Sequence, residues 1–252
     1  MKKDTKIVHA GRNKKWTGQS VNVPVYHTST IIHDTVEDLK FAIKNFKNNA
    51  MYYGRRGTPT HFAFREAMAE LEGGHGCLVY PCGLAAINAA LMSFLSTGDH
   101  LLMVDTVYGP TRVLCNTVLA RMGIETTYYD PLIGGAIKNL IQDNTKVIFT
   151  ESPGSVTMEI QDIPAISKIA HQRDIIVMLD NTWGNLICFE PYKHGVDISI
   201  QAATKYIVGH SDAMLGTITA SEKYWDRLYD NSFYMGYTAA PDDINLAMRG
   251  IR

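Results

Sequence analysis

The sequence predicts an α/β fold in which a mostly parallel sheet is covered by helices on both faces. From about residue 60 onward, short apolar segments alternate with longer segments whose apolar residues recur at helical spacing. The short segments are apolar on both faces, most clearly at residues 175–179. Strands of that kind are typical of parallel sheets buried between two layers of helices. Ligands of such sheets bind at the carboxyl ends of the strands, so residues that follow a strand are the candidates for a site.

Local signals mark the individual elements. Thr35 is a suitable N-cap for a polar helix, and Gly73 and Gly123 follow the ends of two other helical segments. The predicted helices are residues 35–47, 60–71, 84–95, 111–122, 163–172 and 222–231, with a short one before residue 146. The predicted strands are residues 77–80, 101–105, 124–129, 146–150, 175–179, 197–201 and 215–220.

The composition excludes several classes of protein. A chain of 252 residues, 46% of them hydrophobic, buries roughly 70–75% of its unfolded surface, which favours one large domain with or without an appendage. A net charge of -1 argues against a protein that binds nucleic acid or membrane surfaces. No apolar run is long enough for a membrane span or a signal peptide. The four cysteines form no CxxC pair and are expected to be reduced, so we expect a cytoplasmic enzyme.

The first part of the chain differs from the rest. Residues 1–20 are polar and basic, and residues 51–60 mix Gly, Pro, Arg and Tyr in a way that excludes a regular element. An extended arm of this kind usually packs on something else, often another subunit. We therefore predict an N-terminal arm at residues 1–58 that contacts a neighbouring subunit, followed by one large domain at residues 59–252.

Two strand ends carry groups with complementary chemistry. Asp180 ends the most apolar strand, and Lys205 follows the next one. A carboxylate there can hold a protonated pyridine nitrogen, and a lysine there can form an imine with an aldehyde, as pyridoxal phosphate requires. Either residue alone is more often a turn cap or a solvated side chain. Here both lie at strand ends of one sheet, with the hydroxyls of Thr182 and Thr204 beside them.

Other residues suit the remaining parts of that cofactor. Gly83 lies where a strand enters a buried helix, so free amides can face a phosphate, although such a glycine alone is more often a tight turn. Tyr108 follows a strand at the same edge and can stack on a ring or simply fill a gap. Tyr53 and Arg55 offer a hydroxyl and a guanidinium to a phosphate, or form part of a solvated arm. The nine histidines lack metal-ligand spacing, and residues 73–76 lack the GxGxxG pattern, so we predict neither a metal nor a dinucleotide.

Five motifs together resemble the Cys/Met-metabolism family of pyridoxal-phosphate enzymes. They are YGRRGT at residues 53–58, PCG at 81–83, ESPGS at 151–155, DNTW at 180–183 and SIQAATKYIVGHSD at 199–212. The similarity runs from about residue 6 to residue 252. Within the family, the first and third motifs are similar to the forms of the β-lyases rather than of the γ-lyases and γ-synthases.

The resemblance implies fold type I, the aspartate-aminotransferase-like fold, and a homotetramer of two tight dimers. By position it makes Lys205 the lysine that binds the cofactor and moves protons, Asp180 the partner of the pyridine nitrogen, and Tyr108 the stacking aromatic. Tyr108 or Tyr53 assists in moving protons, and the choice between them stays open. The family's phosphate-binding positions fall at Gly83, Leu84, Thr204, Tyr53 and Arg55, of which the last two reach the cofactor of the neighbouring subunit.

The implied reaction is β-elimination of L-cystathionine to homocysteine, pyruvate and ammonia, in methionine biosynthesis. Two alternatives stay open. One is another reaction of the family, that of a cystathionine γ-lyase, a γ-synthase or a methionine γ-lyase. The other is a cofactor-binding fragment without catalysis. Family members carry a C-terminal small domain with the arginine that holds the substrate α-carboxylate, and we expect this chain to lack that domain.

Overall fold

A computed structural model describes residues 2–252, which form a seven-stranded sheet in the order β1-β7-β6-β5-β4-β2-β3. The strands are β1 (Gly76–Tyr80), β2 (His100–Val104), β3 (Glu125–Tyr129), β4 (Thr145–Glu151), β5 (Ile176–Asp180), β6 (Ile198–Gln201) and β7 (Gly216–Ala220). Strands β3, β2, β4, β5 and β6 run parallel, whereas β7 is antiparallel to both of its neighbours. The predicted α/β class with a mostly parallel sheet is therefore confirmed.

The antiparallel strand β7 was not anticipated. A parallel connection needs a crossover of a dozen or more residues, usually a helix, that returns the chain to the starting edge. Residues 202–215 form turns and no regular helix, so the chain re-enters the sheet from the edge at which β6 ended. This reversal keeps residues 202–215 at the carboxyl edge of the parallel strands.

Each predicted helix is found to within a few residues. The helices are α1 (Lys3–His9), α2 (Lys14–Thr17), α3 (Val36–Lys44), α4 (Pro59–Glu72), α5 (Gly83–Phe94), α6 (Gly109–Leu114, continued by a π-helical turn at Cys115–Leu119), α7 (Ile163–His171), α8 (Asn185–Cys188), α9 (Glu222–Tyr234) and α10 (Pro241–Ile251). Of these, α1, α2, α8 and α10 were not predicted. Thr35 caps α3 by accepting from the Asp38 N–H, and Gly73 ends α4 at a φ of 82°. No helix within residues 2–252 is long and apolar enough to cross a membrane.

Helices cover both faces of the sheet, as predicted. One face packs against α5 and α9, and Ile198 and Ile200 of β6 belong to the larger core on this side. The other face packs against α4 and α10. The alternate residues of β6, Ser199 and Gln201, point to this second face, where both side chains donate to Glu72 of α4. The second face therefore combines an apolar cluster with a buried polar one.

The beginning of the predicted arm packs on its own chain. Ala10 and Trp16 are buried in the smaller core, and the Trp16 ring lies 5.1 Å from that of Phe62 on α4. Further along, α3 exposes apolar side chains, including Val36 and Phe41, which are 60% and 67% exposed. Residues 1–58 thus combine an anchored start with a later segment whose apolar side chains face outward.

Candidate active site

Three parallel strands place polar residues at one edge of the sheet. Strands β4, β5 and β6 end at Glu151, Asp180 and Gln201, and the register pairs Glu151 with Asp180. The loop after β2 reaches the same place, because the backbone N–H of Tyr108 donates to Glu151 Oε2 over 2.8 Å. The structure therefore brings Tyr108 and Asp180 to a common edge, as the strand-end argument predicted.

Asp180 is nearly fully buried and is held by Thr182. Its Oδ1 accepts from the Thr182 N–H at 3.0 Å and from the Thr182 hydroxyl at 2.6 Å. The same hydroxyl accepts from the Ala202 N–H at 2.9 Å. Thr182 thus ties the carboxyl to the loop that carries Lys205. Because both bonds fall on Oδ1, the orientation of the carboxyl is set while Oδ2 stays available to a further donor.

Both neighbouring carboxyls have pKa values above their ordinary ones. Burial is the main cause that raises the pKa of Glu151, and the charge of Asp180 adds to it, while the bond from the Tyr108 N–H acts in the opposite direction. Burial also raises the pKa of Asp180, and the bonds from Thr182 offset this only in part. A cationic group facing Asp180 would favour its ionised form. The pair therefore suits a positively charged ring nitrogen.

Lys205 stands exposed at the same edge. Its backbone belongs to a compact turn, since its N–H donates to Ala202 O at 2.9 Å and its carbonyl accepts from the Gly209 N–H at 2.8 Å. The hydroxyl of Thr204 donates to Leu215 O and accepts from the Leu215 N–H, so it closes the loop between β6 and β7. A phosphate contact by Thr204 stays a prediction.

The turn at Gly83 lies directly on this loop. A Cβ on Gly83 would fall 2.6 Å from Ala202 Cβ and 3.0 Å from its Cα, so only glycine permits the approach. Helix α5 starts here, and the first N–H groups of a helix, those of Gly83 and Leu84 among them, have no partner within it. Such a helix start attracts a phosphate. The structure thus brings the predicted phosphate turn next to the loop of Lys205.

Tyr53 and Arg55 lie in a different environment. Arg55 Nη1 donates to Phe233 O on α9 at 2.9 Å, and its guanidinium stacks on the Phe233 ring at 4.3 Å. Tyr53 is 42% exposed and pairs through its backbone with Thr30. No contact within residues 2–252 joins either residue to Asp180, so their reach toward a neighbouring subunit stays a prediction.

Two buried carboxyls were missed by the strand-end argument. Glu151 ends β4 and would have been found by the same rule that selected Asp180. Glu72, at the end of α4, accepts hydrogen bonds from four side chains, which are two of β6, one of β7 and that of Asn181, the residue after β5. No pattern in the sequence singles it out, because its partners lie more than a hundred residues away.

This edge fits the three polar parts of pyridoxal phosphate. The free Oδ2 of Asp180 suits the ring nitrogen, the exposed amine of Lys205 suits the aldehyde, and the close-packed turn at Gly83 suits the phosphate. Tyr108, 45% exposed beside them, offers an aromatic face to the ring. The residues present therefore agree with the cofactor that the sequence predicts.

Two solved structures with this architecture are those of related enzymes. A crystal structure of cystathionine gamma-lyase from Lactobacillus plantarum with L-serine matches with a TM-score of 0.91 and 30% identity, over 100% of this chain and 63% of that one. The structure of metB from Corynebacterium glutamicum gives the same TM-score at 28% identity. The class is that of fold type I pyridoxal-phosphate-dependent enzymes, as predicted.

A comparison with protein-family models places the chain in one family within this class. The model of the Cys/Met metabolism PLP-dependent enzymes matches residues 4–252, so the chain belongs to this family, whose cofactor is pyridoxal 5'-phosphate. It is similar to proteins named cystathionine beta-lyase from Salmonella typhimurium, 47% identical over 251 residues, and from Haemophilus influenzae, 48% identical over 250. These alignments cover 99% and 98% of this chain. The chain spans 64% and 63% of the length of the two relatives.

Proposed function

We propose that the chain forms the cofactor-binding part of a carbon–sulfur lyase that cleaves L-cystathionine by β-elimination. With one water consumed, the products are homocysteine, pyruvate and ammonia, a reaction that serves methionine biosynthesis. One observation carries the proposal: relatives that are 46–48% identical over nearly the whole chain are named cystathionine beta-lyase. The strand-end residues described above supply the groups that such a reaction needs.

Lys205 has two roles in this proposal. Its exposed amine would hold the aldehyde carbon of the cofactor and, when free, would take the proton from the substrate Cα. A positioned amine suits this transfer, which typically contributes a factor of about 10²–10⁴ to the rate. When bound, the cofactor supplies a conjugated ring that accepts the electron pair left on Cα.

The other residues hold and orient the cofactor. Asp180 keeps the proton on the ring nitrogen, and Thr182 fixes the direction of its carboxyl. Tyr108 would offer its ring to the face of the cofactor and is a candidate, with Tyr53, for assisting proton transfer. The N–H groups of Gly83 and Leu84 would hold the phosphate, and the hydroxyl of Thr204, which donates to Leu215 O here, would contribute.

The assembly proposed is a cytoplasmic homotetramer made of two tight dimers. In it, residues 1–58 reach a neighbouring subunit, where Tyr53 and Arg55 contact the phosphate of its cofactor. One feature of the arm supports the proposal. The α3 segment exposes Val36 and Phe41, and the exposed apolar side chains of an arm are typical of an interface.

A γ-elimination is the second candidate. A relative named L-methionine gamma-lyase, from Fusobacterium nucleatum, is 34% identical over 253 residues. The two reactions differ in their keto-acid product. β-Elimination of cystathionine releases pyruvate, whereas γ-elimination releases 2-oxobutyrate.

The product therefore tests the proposal. The protein, saturated with pyridoxal phosphate, is incubated with L-cystathionine, and the keto acid and the thiol are identified by mass spectrometry. Pyruvate with homocysteine supports the proposal. 2-Oxobutyrate with cysteine supports the γ-lyase, and bound cofactor with no product indicates a binding fragment.

A further inference from the structure

A fully enclosed carboxyl lies on the face of the sheet that packs against α4. Glu72 is the last residue of α4 and is only 4% exposed. Its Oε1 accepts from Ser199 Oγ at 2.9 Å, Gln201 Nε2 at 2.5 Å and Asn181 Nδ2 at 3.5 Å, and its Oε2 accepts from Thr219 Oγ1 at 2.5 Å. Four donors from three neighbouring segments thus converge on one carboxyl that has no role in the proposed reaction.

Two of these donors adjoin the proposed active-site residues. Asn181 directly follows Asp180, and Gln201 is the last residue of β6, directly before the loop that carries Lys205. Glu72 therefore contacts the chain next to Asp180 and also at the start of the loop that carries Lys205. Glu72 lies on the face of the sheet that packs against α4, whereas the residues proposed to hold the cofactor lie at the edge of the sheet.

The residue after Gln201 links several cofactor groups. The Ala202 N–H donates to the Thr182 hydroxyl, which in turn donates to Asp180, and the Ala202 carbonyl accepts from the Lys205 N–H. Ala202 also fills the space over Gly83. A displacement of Gln201 therefore moves Ala202 and disturbs the contacts of the aspartate, the lysine loop and the phosphate turn together.

Stability alone does not explain a carboxyl at this place. A buried carboxyl loses its hydration, which raises the pKa of Glu72, and its hydrogen bonds only offset that effect. Replacing a buried charged network with well-packed apolar residues is often neutral or stabilising. The neighbouring residues Met68 and Leu71 of α4 already pack apolar side chains in the second core. The carboxyl instead fixes the positions of the strand ends, because four hydrogen bonds tie them to it.

We propose that Glu72 is a positioning residue of the cofactor site: by holding Gln201 and Asn181, its carboxyl sets the places of Lys205 and Asp180. The inference rests on the proposed function, because it takes these two residues to hold pyridoxal phosphate. Residues that orient ligand-binding groups in metal sites typically affect affinity or activity by about 10- to 100-fold, and we expect an effect of that order here.

The test compares Glu72→Gln with the control Tyr192→Phe in the protein loaded with pyridoxal phosphate. Glutamine keeps the shape but removes the charge, so the bonds that its one remaining carbonyl oxygen accepts from Asn181 and Gln201 are weaker. Tyr192 donates to Thr219 Oγ1 at 2.8 Å, so its change disturbs the outer end of the same network without touching Asn181 or Gln201. The readouts are the affinity for pyridoxal phosphate and the visible circular dichroism of the bound cofactor, which reports its orientation.

Glu72→Gln is expected to weaken cofactor affinity about 10-fold or more and to change the visible dichroism, while Tyr192→Phe lowers only the melting temperature. Wild-type affinity and dichroism in Glu72→Gln, or equal changes in both variants, would overturn the inference. If Glu72→Gln does not fold, Gln201→Met, which removes only the donor next to the loop, decides by the same criteria. A wild-type protein that binds no cofactor overturns the proposed function as well, whereas one that binds it normally leaves only the role of Glu72 in question.

Discussion

Glu151 and Asp180 stand side by side at the carboxyl ends of two adjacent parallel strands, paired in register and both buried. Each is bound by a residue that the site needs: Glu151 by the N–H of Tyr108, and Asp180 by Thr182. Burial raises the pKa of both carboxyls, and the charge of Asp180 raises that of Glu151 further. The Glu151–Asp180 pair therefore links three properties of the protein. They are the position of Tyr108, the charge that would face the ring nitrogen of the cofactor, and the pH dependence of the folding stability.

Glu151→Gln should make the cofactor-free protein less sensitive to rising pH. In the folded state the pKa of Glu151 lies above its ordinary value of 4.5, so above about pH 5 the unfolded chain gives up this proton while the folded protein keeps it. Folding therefore loses stability as pH rises, by about 1.4 kcal/mol for each unit of the shift. Glutamine cannot titrate but still accepts from Tyr108.

Urea unfolding at about pH 5 and about pH 8 measures the effect. We expect the wild type to lose at least about 1.4 kcal/mol more than Glu151→Gln between the two pH values. Equal losses in the two proteins would mean that Glu151 keeps an ordinary pKa.

Gly83→Ala should destabilise the fold at the phosphate turn. The new Cβ would meet Ala202 at 2.6 Å, and an overpacked contact of this kind typically costs about 1–3 kcal/mol. Gly135→Ala is the matched control, because its Cβ would meet Ile169 at an ordinary 3.6 Å. Thermal melting should show a drop of several degrees for the first variant alone, since about 1 kcal/mol corresponds to roughly 2–4 °C in a domain of this size. Equal melting temperatures would refute the close approach.

Asp180→Asn should keep the fold and slow the reaction. The amide oxygen can still accept from Thr182, but an amide cannot stabilise a positive charge on the ring nitrogen. Removing one electrostatic partner of this kind typically costs about 10²–10³ in rate, and we expect pyruvate release to fall by that order at full cofactor occupancy. A rate near that of the wild type would show that Asp180 does not serve the ring nitrogen.

Arg55→Ala should weaken cofactor affinity across a subunit interface. The loss of one charge-assisted bond to phosphate costs about 1.5–3 kcal/mol, or roughly 10- to 150-fold in affinity. In the single chain Arg55 donates to Phe233, so the assembled protein must draw it away from α9. Titration with pyridoxal phosphate, together with sedimentation to record the oligomeric state, measures the effect. An unchanged affinity in an intact oligomer would contradict the proposed contact.

The strand-end rule correctly predicted that Asp180 and Tyr108 meet at one edge of the sheet, because it depends on local information. Asp180 and Tyr108 each follow an apolar strand, and in a parallel sheet such positions meet at one edge whatever the strand order. The structure brings both residues to the Glu151 carboxyl. The class of fold was predictable for the same reason, since apolar strands alternate with amphipathic helices along the chain.

The features that were missed depend on contacts between distant residues. Glu72 is a charged residue at the end of a helix, and its burial follows only once β6 and β7, about 127 to 147 residues later, are placed over it. The direction of β7 also depends on how the 202–215 loop folds back. The helix α10, by contrast, carried a readable signal, because Pro241 is followed by Asp242 and Asp243.

The most direct test of the account is to identify the lysine that carries the cofactor. The protein is loaded with pyridoxal phosphate, reduced with borohydride and digested, and the modified peptide is sequenced by mass spectrometry. We expect the cofactor on Lys205, at the strand edge shared with Asp180, and no covalent label in a folded Lys205→Ala variant treated in the same way. A label on another lysine, or undiminished labelling of Lys205→Ala, would contradict the central claim.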